Sequence, residues 1–244
     1  FFGTTFNLSV LHVILSFSHK PNMSPCPIPL TFTPVNTQDN NSVNNPVTFA
    51  VLGYGHIGKR HAASISAHPG ATLQAIADIA PVAFVAQSDS EMPSVFDSLE
   101  SLLSSAESSS VDLPEVVCVC TPNGLHAQHC IAILKSGCHV VLEKPIALSL
   151  SDAKLISEVS CSSGKHVFCV MQNRFAPPSI WLKRLVDAGS LGELHQVHIQ
   201  CFWNRDDSYY AASDWRGTLA LDGGPLFTQF SHFIDVMYWI FGGI

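Results

Sequence analysis

VTFAVLGYGHIGKRHAASISAHPGATLQAIAD, residues 47–78, is the stretch on which the fold turns. Val47 to Leu52 is a short, mostly apolar run of the kind required by a strand buried on both faces. It leads directly into Gly53-Tyr54-Gly55-His56-Ile57-Gly58. A helix-compatible stretch follows from Ile57 to about His68, and Thr72 to Ala77 reads as a second strand ending in Asp78. A lone G-x-G-x-x-G is a weak signal. A strand before it, a helix after it and an acid at the tip of the next strand give it meaning. Gly53 permits the tight turn, Gly55 lets the backbone approach a diphosphate, and Gly58 lets the helix pack close to the strand. The helix start at His56 and Ile57 then offers free N–H groups and the positive end of a dipole to the phosphates. Asp78 can accept hydrogen bonds from ribose hydroxyls and would repel a 2′-phosphate, with no compensating cation at Ile79. The expected cofactor is therefore NAD rather than NADP. A glycine turn without a ligand is the plain alternative.

The alternation continues outward. Val95 ends a short third strand, and Asp97 to Ser105 fits a helix capped by Asp97 or Ser98. Val116 to Cys120 is a fourth buried strand that closes at Thr121-Pro122-Asn123. His126 to Lys135 is a helix ended by Gly137. His139 to Leu142 is a fifth strand that closes at Glu143-Lys144-Pro145. Ser151 to Ser160 is helical, capped by Ser149 or Ser151, and His166 to Val170 is a sixth strand. Strands alternating with helices predict an α/β fold with a doubly wound parallel sheet, the Rossmann arrangement, over residues 46–171. Ligands bind beyond the carboxyl ends of such strands. Thr121, Pro122, Asn123, His126, Glu143 and Lys144 therefore join the glycine loop as candidate cofactor contacts. A lone lysine at a strand end is usually a solvated charge. Between Glu143 and Pro145, at the ligand end of a parallel sheet, Lys144 reads as functional. Beside a positively charged nicotinamide its ammonium would titrate low, through like-charge repulsion and desolvation.

Bulk properties narrow the class. The 244 residues suffice for one large domain or two ordinary ones, and 47% hydrophobic with 13% charged residues can bury a core. The formal net charge of −7 with no lysine–arginine cluster argues against non-specific nucleic-acid binding. Among the eight cysteines, Cys118, Cys120, Cys130, Cys138, Cys161, Cys169 and Cys201 sit in apolar or helical stretches and form no C-x-x-C pair. They read as buried reduced thiols of a cytoplasmic protein. His126 and His129 are spaced to share a metal, but no third ligand is evident and no metal is expected. The run Phe6 to Phe17 is too short to span a membrane and lacks the basic residues that precede a secretory signal. Met23 is a candidate true start, and residues 24–45 have the Pro, Ser, Thr and Asn content of a linker. Residues 1–45 are expected to be disordered, or a targeting segment that would direct the protein to an organelle, or sequence upstream of the true start.

GYGHIGKRH at 53–61, CTPNGLHAQH at 120–129 and VVLEKPIALS at 140–149 together resemble the glucose–fructose oxidoreductase / inositol dehydrogenase / MocA family. The resemblance runs from about Val47 to the last residue. MQNRFAPPSIWLK, CFWNRDDSYY, DWRGTLALDGG and LFTQFSHFIDVMYW, all beyond residue 170, resemble its UDP-N-acetylglucosaminuronate 3-dehydrogenase subgroup. The resemblance implies a second domain with an open, mostly antiparallel sheet that commonly forms an oligomer interface, so a homo-oligomer is expected of the full-length protein. It implies Lys144 near the reacting hydroxyl, a cis peptide at Pro145, and His232 as catalytic base. Many family members carry Asp four residues before that histidine. Thr228 stands here instead, which departs from an inositol-type Asp–His pair and matches the UDP-sugar subgroup.

Taken alone, His232 on the apolar helix Leu226 to Phe241 would be a satisfied core histidine. With the resemblance it becomes a base whose ordinary pKa suits removal of a hydroxyl proton. On one continuous helix, Thr228, Gln229, His232 and Asp235 would make a polar stripe. Arg174, Arg205 and Arg216 suggest recognition of a carboxylate and a diphosphate, both present in a UDP-uronic acid. Asn173, Trp215 and Arg216 are the first candidates for substrate contact. Residues 172–244 hold one long strand-like segment, His195 to Trp203, and that helix. One strand makes no stable sheet, so this domain is expected to be incomplete at its C-terminus. The expected function is oxidation of a nucleotide-sugar 3-hydroxyl, with no membrane or nucleic-acid partner. Another sugar or inositol dehydrogenase, or a non-catalytic NAD-binding protein, are the alternatives.

Overall fold

The computed structural model describes residues 12–14, 46–82, 92–105 and 112–242. The expectations for residues 1–45 otherwise fall outside the described residues. In chain order the strands are β1 (His12–Ile14), β2 (Val47–Leu52), β3 (Ala71–Ala77), β4 (Ser94–Phe96), β5 (Val116–Val119), β6 (His139–Leu142), β7 (Val167–Cys169) and β8 (His198–Gln200). The helices are α1 (His56–Ser66), α2 (Leu99–Ser104), α3 (His126–Lys135), α4 (Leu150–Ser163), α5 (Pro177–Asp187), α6 (Asp207–Ala211), α7 (Pro225–Thr228) and α8 (Ser231–Phe241). Contacts gather them into two units. Among the described residues, one comprises 46–171 with 210–231; the other comprises 172–209 and 232–242 with β1.

The first unit is built on a parallel sheet ordered β4-β3-β2-β5-β6-β7. Chain order reverses between β2 and β5, the place where a doubly wound sheet opens a crevice for ligand. Side chains alternate across each strand. Val51, Ile76 and Cys118 pack on one face with Ala62 and Ile65 of α1. Ala50, Leu52, Val117, Val119, Val140 and Leu142 pack on the other with Leu102, Ile133 and Ile156 of α2, α3 and α4. Both faces of the central strands are therefore dry, which is why they read as unbroken apolar runs rather than alternating ones.

Local chemistry sets the helix ends. Ser98 accepts from Ser101 N while Ser101 Oγ accepts from Ser98 N, a reciprocal cap that starts α2 at Leu99. Ser149 accepts from Asp152 N at 3.0 Å to start α4, and Gly164, left-handed at φ 66°, ends it. Backbone pairing runs one residue past the strands: Gly53 N donates to Ala77 O, Cys120 N to Leu52 O, Glu143 N to Val119 O and Asp78 N to Phe96 O, at 2.8–3.1 Å. Those four residues thus stand in one row along the carboxyl edge of the sheet.

Residues 210–231 belong to this unit by direct bonding. Asn123 Nδ2 donates to Asp222 O at 2.9 Å and Gly124 N to Leu221 O at 3.0 Å. A Cβ on Gly124 would lie 2.1 Å from Ala220 O, so only glycine permits this approach.

Two expectations are corrected in these segments. The strand expected from His195 to Trp203 is reduced to β8. It pairs antiparallel with β1, His12 opposite Gln200, and a strand extends only as far as its ladder partner. The single helix expected from Leu226 to Phe241 is two, parted by a turn at Gln229–Phe230. Gln229 N and Phe230 N both close on Pro225 O, while the Thr228 carbonyl accepts from Lys144 Nζ at 2.6 Å. Drawn to the ammonium, that carbonyl leaves the helical ladder, and the continuous stripe from Thr228 to Asp235 does not form.

All seven cysteines among the described residues are free thiols, and Cys161, expected to be buried, is exposed. No helix among the described residues is long and apolar enough to cross a membrane.

Candidate active site

The glycine loop is built by close contact. Gly53 has φ +89°, and a Cβ there would lie 2.8 Å from Cys120 O. A Cβ on Gly58 would lie 1.9 Å from Gly53 O, so the first turn of α1 can close on the loop only because Gly58 lacks one. At Gly55 a Cβ would meet nothing within 4 Å. That residue faces open space, as close approach of a diphosphate requires. α1 begins at His56 with no acid in its first turn, and Lys59 N is the first to bond back, to Gly55 O at 3.0 Å. The N–H groups of His56, Ile57 and Gly58 precede the helical ladder and present the positive end of the dipole. Asp78 Oδ2 accepts from Tyr54 N at 2.5 Å and Oδ1 from Ala80 N at 2.7 Å. The carboxylate thus holds the crest of the glycine loop, and its acceptor sites are numerous enough to serve a ribose as well. Ile79 is 95% exposed and offers no cation. A tight loop, an open middle glycine and an acid at the strand tip fit a dinucleotide without a 2′-phosphate.

The next two loops are tied together by histidines. Thr121 Oγ1 is 3.0 Å from His129 Nδ1, and burial draws the His129 pKa down. His126, at the start of α3, lies 2.6 Å from Pro145 O through Nδ1 and 2.9 Å from Thr121 O through Nε2. Glu143 is buried, its Oε1 2.9 Å from His61 Nε2 and its Oε2 accepting from Lys144 N at 3.3 Å. The Lys144–Pro145 peptide is cis, as the resemblance implies. Two of the expected cofactor contacts also hold partners within the fold. The Asn123 amide holds Asp222, and both His126 nitrogens face backbone carbonyls, because each side chain is buried and must find its polar partners inside the fold. His61 was missed by sequence reasoning. Its partner is 82 residues away, and its position on the same helix as the glycine motif, three residues past Gly58, is the one local hint.

Trp215, Arg216, Thr228 and Gln229 belong with the Rossmann sheet, whereas Asn173, Arg174, Arg205 and His232 lie in the other unit. The Arg216 guanidinium stands 5.8 Å from the Trp215 ring. In the second unit, Arg174 does not present its fork to solvent. Nε and Nη2 bind both oxygens of Asp235 at 2.7 and 2.5 Å, which ties the Gln172–Phe175 turn to α8. His232, 6% exposed, has Nε2 at 3.5 Å from the Gln172 amide. The Arg205 guanidinium lies over both the Trp203 and Tyr209 rings, 4.6 Å from each ring centre. Such stacking leaves the edge of a guanidinium free to fork onto an anion. Asn173 lines a cavity of about 220 Å³ with residues of α5, β8 and α8, including Leu182, Ile199 and Met237. Among the described residues, no group of three or more His, Cys, Asp or Glu side chains is arranged to hold a metal.

Comparison with known proteins agrees with this fold. Residues 47–170 match the model of an oxidoreductase family with an NAD-binding Rossmann fold, GFO/IDH/MocA, and residues 180–244 match the GFO/IDH/MocA C-terminal domain. A D-glucoside 3-dehydrogenase of Escherichia coli is 26% identical over 209 residues, 82% of this chain and 55% of that protein. The WlbA dehydrogenase of Chromobacterium violaceum, solved with NADH and UDP-GlcNAcA, is 31% identical at a TM-score of 0.73, covering 82% of this chain and 56% of that one. The Bordetella pertussis WlbA dehydrogenase, solved with the same two ligands, is also 31% identical at 0.73, covering 83% and 57%. The chain thus spans little more than half the length of these relatives.

Proposed function

The chain belongs to the GFO/IDH/MocA oxidoreductase family, and from that premise we propose that it serves an NAD-dependent dehydrogenase that oxidises the 3-hydroxyl of a nucleotide sugar, UDP-N-acetylglucosaminuronate or a close analogue. The observation that carries the proposal is the glycine loop. Gly53 and Gly58 are packed too tightly for any side chain, Gly55 is open, and Asp78 fixes the loop crest from the neighbouring strand. The amides of His56, Ile57 and Gly58 bind the diphosphate, and Asp78 selects the unmodified ribose.

When bound, NAD⁺ supplies the acceptor for the hydride that leaves the sugar carbon. The remaining work falls to side chains. His232 is buried on an apolar helix next to the Gln172 amide and takes the hydroxyl proton. Lys144 is held by its hydrogen bond to Thr228 O, and its ammonium steadies the oxygen as the proton leaves. Arg205, over the Trp203 and Tyr209 rings, and Arg216, beside Trp215, supply guanidinium groups for the diphosphate and carboxylate of the sugar nucleotide. Two relatives solved with UDP-GlcNAcA support the substrate class, and Thr228 in place of an acid supports a site unlike the inositol type.

The test is a single-turnover incubation with NAD⁺ and UDP-N-acetylglucosaminuronate, followed by absorbance of the reduced nicotinamide. D-glucosides and inositols serve as the comparison arms. Reduction with the nucleotide sugar is the expected result. Reduction with a simple glucoside alone moves the substrate towards that of the E. coli relative. Binding of NAD⁺ without its reduction by any sugar leaves a non-catalytic nucleotide-binding protein.

A further inference from the structure

His61 takes no part in the proton path above, yet its ring meets the turn that carries Lys144. It stands on α1, three residues past Gly58 and one before Ala62, which is buried in the core. Gly58 lies tight against Gly53 O, and Ala62 and Ile65 pack with Val51 and Cys118, so this length of α1 is fixed to the sheet. From there Nε2 lies 2.9 Å from Glu143 Oε1. The other carboxylate oxygen accepts from Lys144 N at 3.3 Å, and Lys144 Nζ donates to Thr228 O at 2.6 Å. A series of bonds thus runs from the helix of the glycine loop, through one carboxylate, to the residue that bears the ammonium. The turn needs such a hold. Pairing of β5 with β6 ends at Val119 and Leu142, and Glu143 N still bonds to Val119 O, but Lys144 lies beyond the register. The His61 and Glu143 side chains are only 18% and 12% exposed, so the carboxylate must draw donors from the protein rather than from water. A neutral imidazole has one N–H, and one is all that Oε1 takes from it, so the bond requires no second ring proton.

We propose that His61 is a positioning residue for Lys144: by donating to Glu143 Oε1 it sets the carboxylate whose other oxygen holds the Lys144 amide, so the helix that receives the dinucleotide phosphates also aims the ammonium. Glu143 is the go-between, with one oxygen on each side of the link. The consequence for the rate rests on the dehydrogenase reading. The hold on the Lys144 backbone does not.

Two variants separate aiming of the lysine from simple filling of space. His61→Gln keeps an amide N–H near the place of Nε2, whereas His61→Leu fills similar space and donates nothing. In the single-turnover assay Leu is expected to slow hydride transfer by about 10- to 100-fold, the worth of a hydrogen bond to a charged group. Gln should retain most of the rate, and NADH affinity should be unchanged in both. Leu as fast as Gln would overturn the proposal, as would a loss of NADH affinity with the transfer rate intact. Amide hydrogen exchange at Lys144, read without nucleotide or sugar, is independent of catalysis. It should be roughly 10-fold faster in the Leu variant than in the Gln variant, and equal exchange overturns the hold. If neither variant folds, nitrogen NMR of the histidine-labelled, unmodified chain decides, at a mildly alkaline pH where an ordinary imidazole is neutral. Nε2 of His61 is expected to carry a proton, and a bare Nε2 overturns the proposal. If the unmodified chain reduces no NAD⁺ with any sugar, the dehydrogenase reading fails by itself, and exchange and spectrum still decide the hold on Lys144.

Discussion

Gly58 and Asp78 show how single residues govern the nucleotide site, and each can be tested alone. Gly58→Ala places a carbon where Gly53 O already lies, 1.9 Å away, so either the loop or α1 must shift. Overpacking of this kind costs roughly 1–3 kcal/mol. The expected outcome is about a 5- to 150-fold loss of NAD⁺ affinity by calorimetry, with the circular dichroism of the sheet and helices retained. Asp78→Asn keeps an acceptor for Tyr54 N but removes the charge that disfavours a 2′-phosphate. Its preference for NADH over NADPH should narrow by roughly 10- to 100-fold in fluorescence titrations, the worth of a hydrogen bond to a charged group. If the preference stays as it was, Asp78 does not select the ribose. These residues were legible in the sequence because their roles follow from spacing within one strand–turn–helix–strand unit. His61 with Glu143, and Arg174 with Asp235, were not paired by sequence reading. Their partners stand 82 and 61 residues apart, and nothing in local composition says which acid a base will meet.

At the scale of elements, helices and strands inside the sheet unit were readable almost to the residue. α3 runs from His126 to Lys135 as expected, and of the two cap candidates for each of α2 and α4 the structure uses Ser98 over Asp97 and Ser149 over Ser151. Apolar periodicity and capping chemistry are local, so they survive without knowledge of neighbours. The region past residue 171 was less legible because its elements are set by tertiary bonds. α7 and α8 share one apolar pattern, yet the Lys144 ammonium captures the Thr228 carbonyl and the helix breaks. Arg174 looked like an anion receptor but is a strut between a short turn and α8. Both side chains of that pair are 13% exposed, so removing one partner strands the other in a mostly dry setting. Arg174→Ala and Asp235→Ala are each expected to destabilise the second unit by about 1–3 kcal/mol in denaturant unfolding. The double variant should cost less than the sum of the two, and strict additivity would mean the fork contributes nothing.

Over the whole molecule, the buried thiols couple folding to alkaline pH. Burial, with a smaller contribution from the Glu143 carboxylate, pushes Cys118 up to about 12. Burial, assisted by Cys169, does the same for Cys130. An unfolded chain ionises its cysteines from about pH 8.5. Above that pH the unfolded state has lost protons that the folded state still holds, so stability is intact below about 8.5 and declines as pH rises towards 12. Chemical denaturation at pH 7 and pH 10 should show the drop, and Cys118→Ala with Cys130→Ala should flatten it. A slope unchanged in that variant would assign the loss to other groups. In the native state exposed Cys161 should react with an alkylating agent well before either buried thiol.

The bonding of residues 210–231 to the parallel sheet bears on how the protein can be taken apart. A polypeptide severed after Met171 would end with the last strand of that sheet and still be unfinished. The Asn123 amide would lose its acceptor, Gly124 N would lose the Leu221 carbonyl, and Leu148 would be stripped of Gly223. Such a half should expose apolar surface to a hydrophobic dye and melt early, whereas grafting residues 210–231 back onto it should restore a sharp transition. The nucleotide-holding part is thus discontinuous along the gene. A recombination event that shuffles the codons for residues 47–171 as a cassette carries off the shelf and leaves its bracket behind.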